Sequence, residues 1–363
     1  MATLLTIRPL EGEPVRIAID GGLFADPEEV TIDSEIETSE LWAVPGLADA
    51  HAHLTMQVPT DIRGISEEQM RANIPAMAWA QVDRGVLLIL DKGSASDLSL
   101  LSLDHDADLR PHVEAAGAII RPTHGYMPGF GAEVEPDDLV EHIRTRAETR
   151  GGWVKIIGDW PRKGEGPKNN YPLDRLTEAV DVAHAAGARV AVHTMAYSAS
   201  DAVTAGADSI EHGPFLTSDD LEALADRGGA WVPTVANMLD VLNTLGREST
   251  GGRLFAEGLD RMRENLPLAE SLGVTVLAGT DMGVRHGEVS IEAQRLVEYG
   301  MSHRGATRAA SLDAYGYVGM TDTFRPGTTA DAVFFRDHPY DDVSILTDPA
   351  LVIRRGRTIR PKG

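Results

Sequence analysis

The sequence predicts an α/β chain: a (β/α)8 TIM barrel with a small β-sandwich domain formed jointly by the N- and C-terminal segments. Three observations carry this reading. From Gly46 onward, eight short apolar runs alternate with amphipathic helical stretches. Those runs are continuously apolar rather than alternating, the pattern of parallel strands covered on both faces. Outside that alternation, residues 1–44 and 322–363 read as short strands and turns.

The eight runs are, in order, "LADAHAH", "GVLLILD", "HVEAAGAII", "WVKIIGD", "ARVAVHT", "DSIEHG", "AWVPTV" and "VTVLAGTD". Between them lie "EPDDLVEHIRTRAETRG", "LDRLTEAVDVAHAAG" and "TSDDLEALADRGG". The last has Thr217 three residues before Asp220, a capping-box spacing, and a glycine stop at Gly228. Eight such units imply a barrel over residues 45–321. The ends contribute "VRIAIDGG" and "EVTID" before it and "DAVFFRDHPYDDVSILTDPALVIRRGRTI" after it, with the helical "HRGATRAASLDAYG" leading back.

Composition narrows the function classes. With 42% hydrophobic and 25% charged residues over 363 positions, the chain can bury a large core. No apolar run reaches transmembrane length, and the start lacks a basic n-region with an apolar core, so neither membrane insertion nor export is expected and the cytoplasm is the default location. A formal charge of −23 argues against nucleic-acid binding, which needs clustered Lys and Arg. A homo-oligomer is left open. Cysteine is absent, so disulfides and thiolate metal sites are excluded together, and any metal must be held by His, Asp, Glu or a modified side chain.

Such residues stand where barrel chemistry is expected, at the C-terminal ends of the strands. His51 and His53 end the first run. As i and i+2 positions of a strand they point the same way. Lys155 lies in the fourth run, His193 ends the fifth, His212 the sixth and Asp281 the eighth. Lys155 is costly to bury as an ammonium ion. Burial favours the neutral amine, which can react with CO2 to give a carbamate able to bridge two cations. Taken singly, each residue has an ordinary alternative: a hydrogen-bonded core histidine, a strand-end lysine reaching for water, or an aspartate capping a turn. Six of them at the same ends of one architecture point instead to a metal site.

On the motifs "PGLADAHAHL", "VKI", "VAVHTMA", "SIEHG", "AGTDMG" and "RPGTTADAVFF", the chain resembles the amidohydrolase superfamily over its full length. Within it, the similarity is to the imidazolonepropionase-related branch that includes prolidase-like metal-dependent dipeptidases and ochratoxin-type amidases. The resemblance implies two divalent ions, usually zinc. His51 and His53 would hold one with Asp281, His193 and His212 the other, and N6-carboxylated Lys155 would bridge. It implies hydrolysis of a small amide, of the dipeptide or N-acyl amino acid type, by a metal-bridging hydroxide, with Asp281 as the catalytic proton carrier. The same centre could open a cyclic amide or imidazolone, or cleave an ester or lactone. A non-catalytic scaffold would be expected to lack some ligands, and none is missing.

Three departures stand out. The third-strand loop reads "RPTHGYMPGFG" where the branch carries Gly-Gly-His-Gly, the second strand ends "LDKGSAS" in place of Arg-Asp-Val-Gly-Gly, and Ala196 occupies the position where deaminases carry Glu. Deamination is therefore disfavoured. Substrate contacts are expected from the loops, with His124, Tyr126, Tyr171 and His286 as polar candidates. Trp160, Met127, Phe130 and Met56 could give an apolar wall, and Arg162, Lys163 and Lys168 a local basic cluster.

Overall fold

The computed structural model describes residues 1–58, 65–150, 152–162 and 165–360. Lys163 of the expected basic cluster and residues 361–363 of the expected terminal domain lie outside the described residues.

The fold is mixed α/β with parallel sheets. All eight apolar runs contain strands. Leu47–Ala52, Val86–Asp91 and His112–Ala115 pair in parallel as one three-stranded sheet. Ile120–Arg121, Trp153–Ile157, Arg189–Thr194, Ser209–His212, Ala230–Val232 and Thr275–Val276 follow in chain order in a second, with the short Ala132–Glu133 on its edge. The third run, read from sequence as one strand, is thus two pieces. Gly117, at φ +71°, turns the chain between them, and a Ser94–Ala118 bridge carries the pairing across. At the opposite margin, the eighth run meets the first: Ala50 N donates to Ala278 O at 2.8 Å and Asp281 N to His51 O at 2.6 Å.

Burial explains the apolar runs. Every residue of Leu47–Ala52, Val86–Asp91 and Trp153–Ile157 is buried. Helices alternate with the strands, and their ends follow local chemistry. Ser218–Arg227 begins with the expected capping box, Thr217 Oγ1 accepting from Asp220 N while Asp220 Oδ2 accepts from Thr217 N, and it stops at Gly228.

The two ends of the chain build a shared sheet. Leu351–Arg354 and Ala332–Phe335 pair antiparallel. Ala332–Phe335 also pairs with Trp42–Val44, which continues through Ala2–Pro9 to Val15–Asp20. The strands follow one path of seven, and Ile32–Ile36 pairs with Ala2–Pro9 off that path as the eighth. The path turns at Ala2–Pro9, whose first half pairs with Ile32–Ile36 and whose last residues pair with Trp42–Val44. Leu5, Ile7, Ile19, Phe24, Phe334 and Ile353 from both ends fill its core.

Glu11 fastens this sheet to the helices that follow the eighth strand. One of its oxygens accepts from Arg308 at 2.8 Å, Arg304 at 2.9 Å and the Tyr340 hydroxyl at 2.8 Å. Burial acts to raise the Glu11 carboxyl, but these donors outweigh it and hold it at about 2 against an ordinary 4.5. A depressed carboxyl stabilises the fold fully above its unfolded pKa, and the contribution fades as pH falls toward the folded one. Urea unfolding of wild type and Glu11→Gln between pH 7 and 3 should therefore show a constant wild-type advantage above pH 5 that shrinks below 4.5. A difference independent of pH would contradict this.

Candidate metal centre

The site is built where the strands end, and buried carboxylates pin the backbone there. Asp49, two residues before His51, accepts from His51 N at 3.2 Å, Thr280 N at 3.0 Å and Thr280 Oγ1 at 2.6 Å. It thereby stitches the first strand to the turn carrying Asp281, and burial pushes its carboxyl up to about 6. Asp91 accepts from Leu54 N and Gly93 N, both at 2.8 Å, and so holds the chain around His53. Asp159 accepts from the backbone of Met195, Ala196 and Ser198, and so holds the loop after His193. Gly279 has no alternative: a Cβ there would lie 2.6 Å from the Cβ of His51.

Three imidazoles converge on Asp281. The Nε2 atoms of His51, His53 and His212 lie 3.8, 3.3 and 3.9 Å from its carboxylate oxygens. Each ring has its other nitrogen close to a different group. Nδ1 of His53 is 2.7 Å from Gly93 O, Nδ1 of His212 is 2.6 Å from Thr234 Oγ1, and Nδ1 of His51 is 2.6 Å from Glu211 Oε2. An imidazole held at one nitrogen presents the other in a fixed direction, as metal ligands do. Asn237 Nδ2 donates to Asp281 Oδ2 at 2.7 Å. His212, Thr234 and Asp281 all have positive φ, at 66°, 51° and 50°, so the backbone is bent to deliver these side chains.

His193 and Lys155 complete the group. His193 Nδ1 is 3.0 Å from His212 Nε2, and its own Nε2 is buried without a hydrogen-bond partner. Lys155 is 1% exposed, and its Nζ is likewise buried and unpartnered. Burial lowers the Lys155 amine to about 8, with Lys92 also lowering it and Glu211 and Asp281 opposing. Burial, then the charge of Lys155, draws His51 down to about 4. Burial, then His51, takes His212 to about 3. His193 is depressed by burial and by His212. Burial also acts to lower His53, but the adjacent Asp281 carboxylate outweighs it and raises that ring. Burial opposes ionisation of Asp281 as well, yet His51 and His53 hold its carboxyl far below the usual range. Largely neutral imidazoles, an ionised carboxylate and an unpaired amine form a donor set suited to divalent cations. His51, His212 and Asp281 make a compact group, their ligand atoms lying within 4.8 Å of one another.

The residues expected to bind substrate divide. Tyr126 lies beside the cluster, its ring 5.7 Å from that of His193 and 4.6 Å from that of Trp160, and burial raises its phenol far above the usual range. Met56, Phe130, Ile157 and Met127 pack around it as an apolar wall. His124 is exposed on its loop. Tyr171 and His286 are engaged elsewhere. The Tyr171 hydroxyl donates to Val134 O at 2.9 Å, while His286 is held by Met56 O at 2.7 Å and the Gln81 amide at 3.0 Å. Both polar ends are thus hydrogen-bonded within the protein. In the expected basic cluster, Lys168 pairs with Glu165.

Sequence reasoning passed over Asp49, Lys92, Glu211, Thr234 and Asn237. For Asp49 and Glu211 the signal was available: an acid inside an apolar strand, one or two residues from a candidate ligand. Thr234 and Asn237 carried none, because only tertiary placement brings them to His212 and Asp281.

Comparison with known proteins places the fold and site in context. The amidohydrolase family model matches residues 42–359. The chain is 34% identical over 392 residues to an uncharacterized protein of Mycobacterium tuberculosis, covering 98% of this chain and 99% of the relative. Its fold is that of a solved Xaa-Pro dipeptidase with bound methionine in the active site (TM-score 0.82, 22% identity, 99% of each chain covered). It is also similar to Aspergillus niger ochratoxinase (TM-score 0.78, 18% identity, 100% of this chain and 96% of that one). Fold and site thus define a metal-dependent hydrolase acting on carbon–nitrogen bonds. The chain belongs to the amidohydrolase family. Among the described residues, no helix is long and apolar enough to cross a membrane.

A ligand that binds only the folded state raises the unfolding temperature. Adding Zn2+ to chelator-stripped protein should raise the midpoint of thermal unfolding, and His212→Ala, which removes a member of the compact group, should lose most of that rise. An equal rise in the variant would place the ion elsewhere.

Proposed function

We propose that this chain is a binuclear amidohydrolase that cleaves a small amide of the dipeptide or N-acyl amino acid class, and that its two parallel arcs form one (β/α)8 barrel. The convergence of three imidazoles on one buried carboxylate beside an unpartnered buried lysine supports this best. In this reading residues 45–321 make the barrel, and the two ends make a second domain. His51 and His53 with Asp281 would hold one ion, His193 and His212 would hold the other, and Lys155, as its carbamate, would be a further ligand, with zinc as the metal. When bound, the ions polarise the scissile carbonyl and lower the pKa of water at the site.

The chain's own groups do the rest. Asp281, oriented by the Asn237 amide at Oδ2, takes a proton from the attacking water and hands it to the leaving nitrogen. Without that proton an amide nitrogen leaves poorly. Tyr126 stays protonated, because burial opposes its ionisation, and can donate to a substrate oxygen. Trp160, Phe130 and Met56 exclude water and offer an apolar surface to the acyl portion. At the position that would carry the deaminase carboxylate, Ala196 has only a methyl group, and its N–H is committed to Asp159.

Zinc- and manganese-loaded protein tested against dipeptides, N-acyl amino acids, lactams and esters should show saturable turnover confined to the first two classes. Asp281→Asn should lower kcat by about 100-fold or more while retaining native circular dichroism. Turnover at the wild-type rate in that variant would remove Asp281 from the role given it.

A further inference from the structure

Beyond the six ligand candidates, the barrel interior holds an ion pair that the proposed chemistry does not use. Lys92, at the end of the second strand, and Glu211, in the sixth, are 1% and 0% exposed. Lys92 Nζ lies 2.9 Å from Glu211 Oε1 and 4.7 Å from the centre of the Trp153 ring. The same oxygen of Glu211 accepts from Ser209 Oγ. The other, Oε2, lies 2.6 Å from Nδ1 of His51. Lys92, Glu211 and His51 thus form a chain of contacts through the core that ends at a candidate ligand.

A buried ion pair is a poor device for stability alone, since well-packed apolar side chains of similar volume commonly do as well or better. Its placement suggests another use. The three imidazoles facing Asp281 have a carbonyl, a hydroxyl and a carboxylate beside Nδ1, and of these the carboxylate beside His51 is the charged one. A carboxylate at Nδ1 fixes that tautomer, leaves Nε2 as the free lone pair and strengthens it as a donor. That carboxylate would place an uncompensated negative charge in the core. Lys92 cancels it from the far side, and Lys155 is then left without a partner.

We infer that Lys92 and Glu211 act as a positioning pair: Glu211 orients His51 for metal binding, and Lys92 supplies the counter-charge that permits Glu211 to do so. The inference rests on the metal-dependent reading of the site. Neither residue is a ligand, and neither touches substrate.

Wild type, Glu211→Gln, Lys92→Met and the neutral double variant Lys92→Met/Glu211→Gln are stripped of metal and titrated with Zn2+ against a chromophoric chelator. Co2+ titration followed by visible absorption reports the ligand field, and thermal unfolding of the metal-free forms reports structure. Glu211→Gln should weaken one Zn2+ by about 10- to 100-fold and change the Co2+ bands. Lys92→Met should lower the unfolding temperature of the metal-free protein, because it strands a buried carboxylate. The double variant should recover that temperature and still bind the ion weakly. It keeps the test decisive if a single variant does not fold. A folded double variant with wild-type Zn2+ affinity and wild-type Co2+ bands would overturn the inference and leave the metal reading standing. A wild type that binds neither ion would overturn both.

Discussion

Everything about this structure turns on keeping one carboxylate, that of Asp281, ionised in a place where water barely reaches. At 7% exposure it cannot rely on solvent, so the protein surrounds it with three imidazole nitrogens and an asparagine amide. Burial alone would protonate it, and the nearby rings reverse that. The same burial holds His51, His193 and His212 in their neutral form. One physical constraint, charge in a low-dielectric rim, therefore prepares both the anion and the lone pairs that a cation needs.

Holding this arrangement falls to groups that do no chemistry. Asp49, Asp91 and Asp159 direct their oxygens at backbone N–H groups of the turns that carry Asp281, His53 and the segment after His193. A buried carboxylate accepting several backbone donors makes a rigid clamp, and each clamp spans two strands or a strand and its loop. Bent backbone at His212, Thr234 and Asp281 fits the same picture, because such conformations persist only where the surroundings over-determine them. Glu11 plays a comparable part away from the site, tying the sheet of the chain ends to the helices after the eighth strand.

Much of this was legible in the sequence. The strands could be read because burial on both faces demands unbroken apolar runs, and His51, His53, Lys155, His193, His212 and Asp281 stood out as polar residues within or at the ends of those runs. The division of the third run was not legible, since "HVEAAGAII" looks like one strand until Gly117 adopts positive φ. Tyr171 and His286 looked like free polar groups because their partners, Val134, Met56 and Gln81, are remote in sequence. Lys92 was equally hidden. Its meaning depends on Glu211, which lies on another strand and is itself masked by the more conspicuous His212. Local pattern reports which residues are buried; only tertiary contact reports what they are buried against.

The central claim is that these side chains enclose two cations at the mouth of the strands. Crystals of zinc-loaded protein, measured at the zinc absorption edge, test it most directly. The account predicts two anomalous peaks among His51, His53, His193, His212 and Asp281, with added density continuing from Nζ of Lys155. A native fold with no peak in that group, and a bare Lys155 side chain, would contradict it.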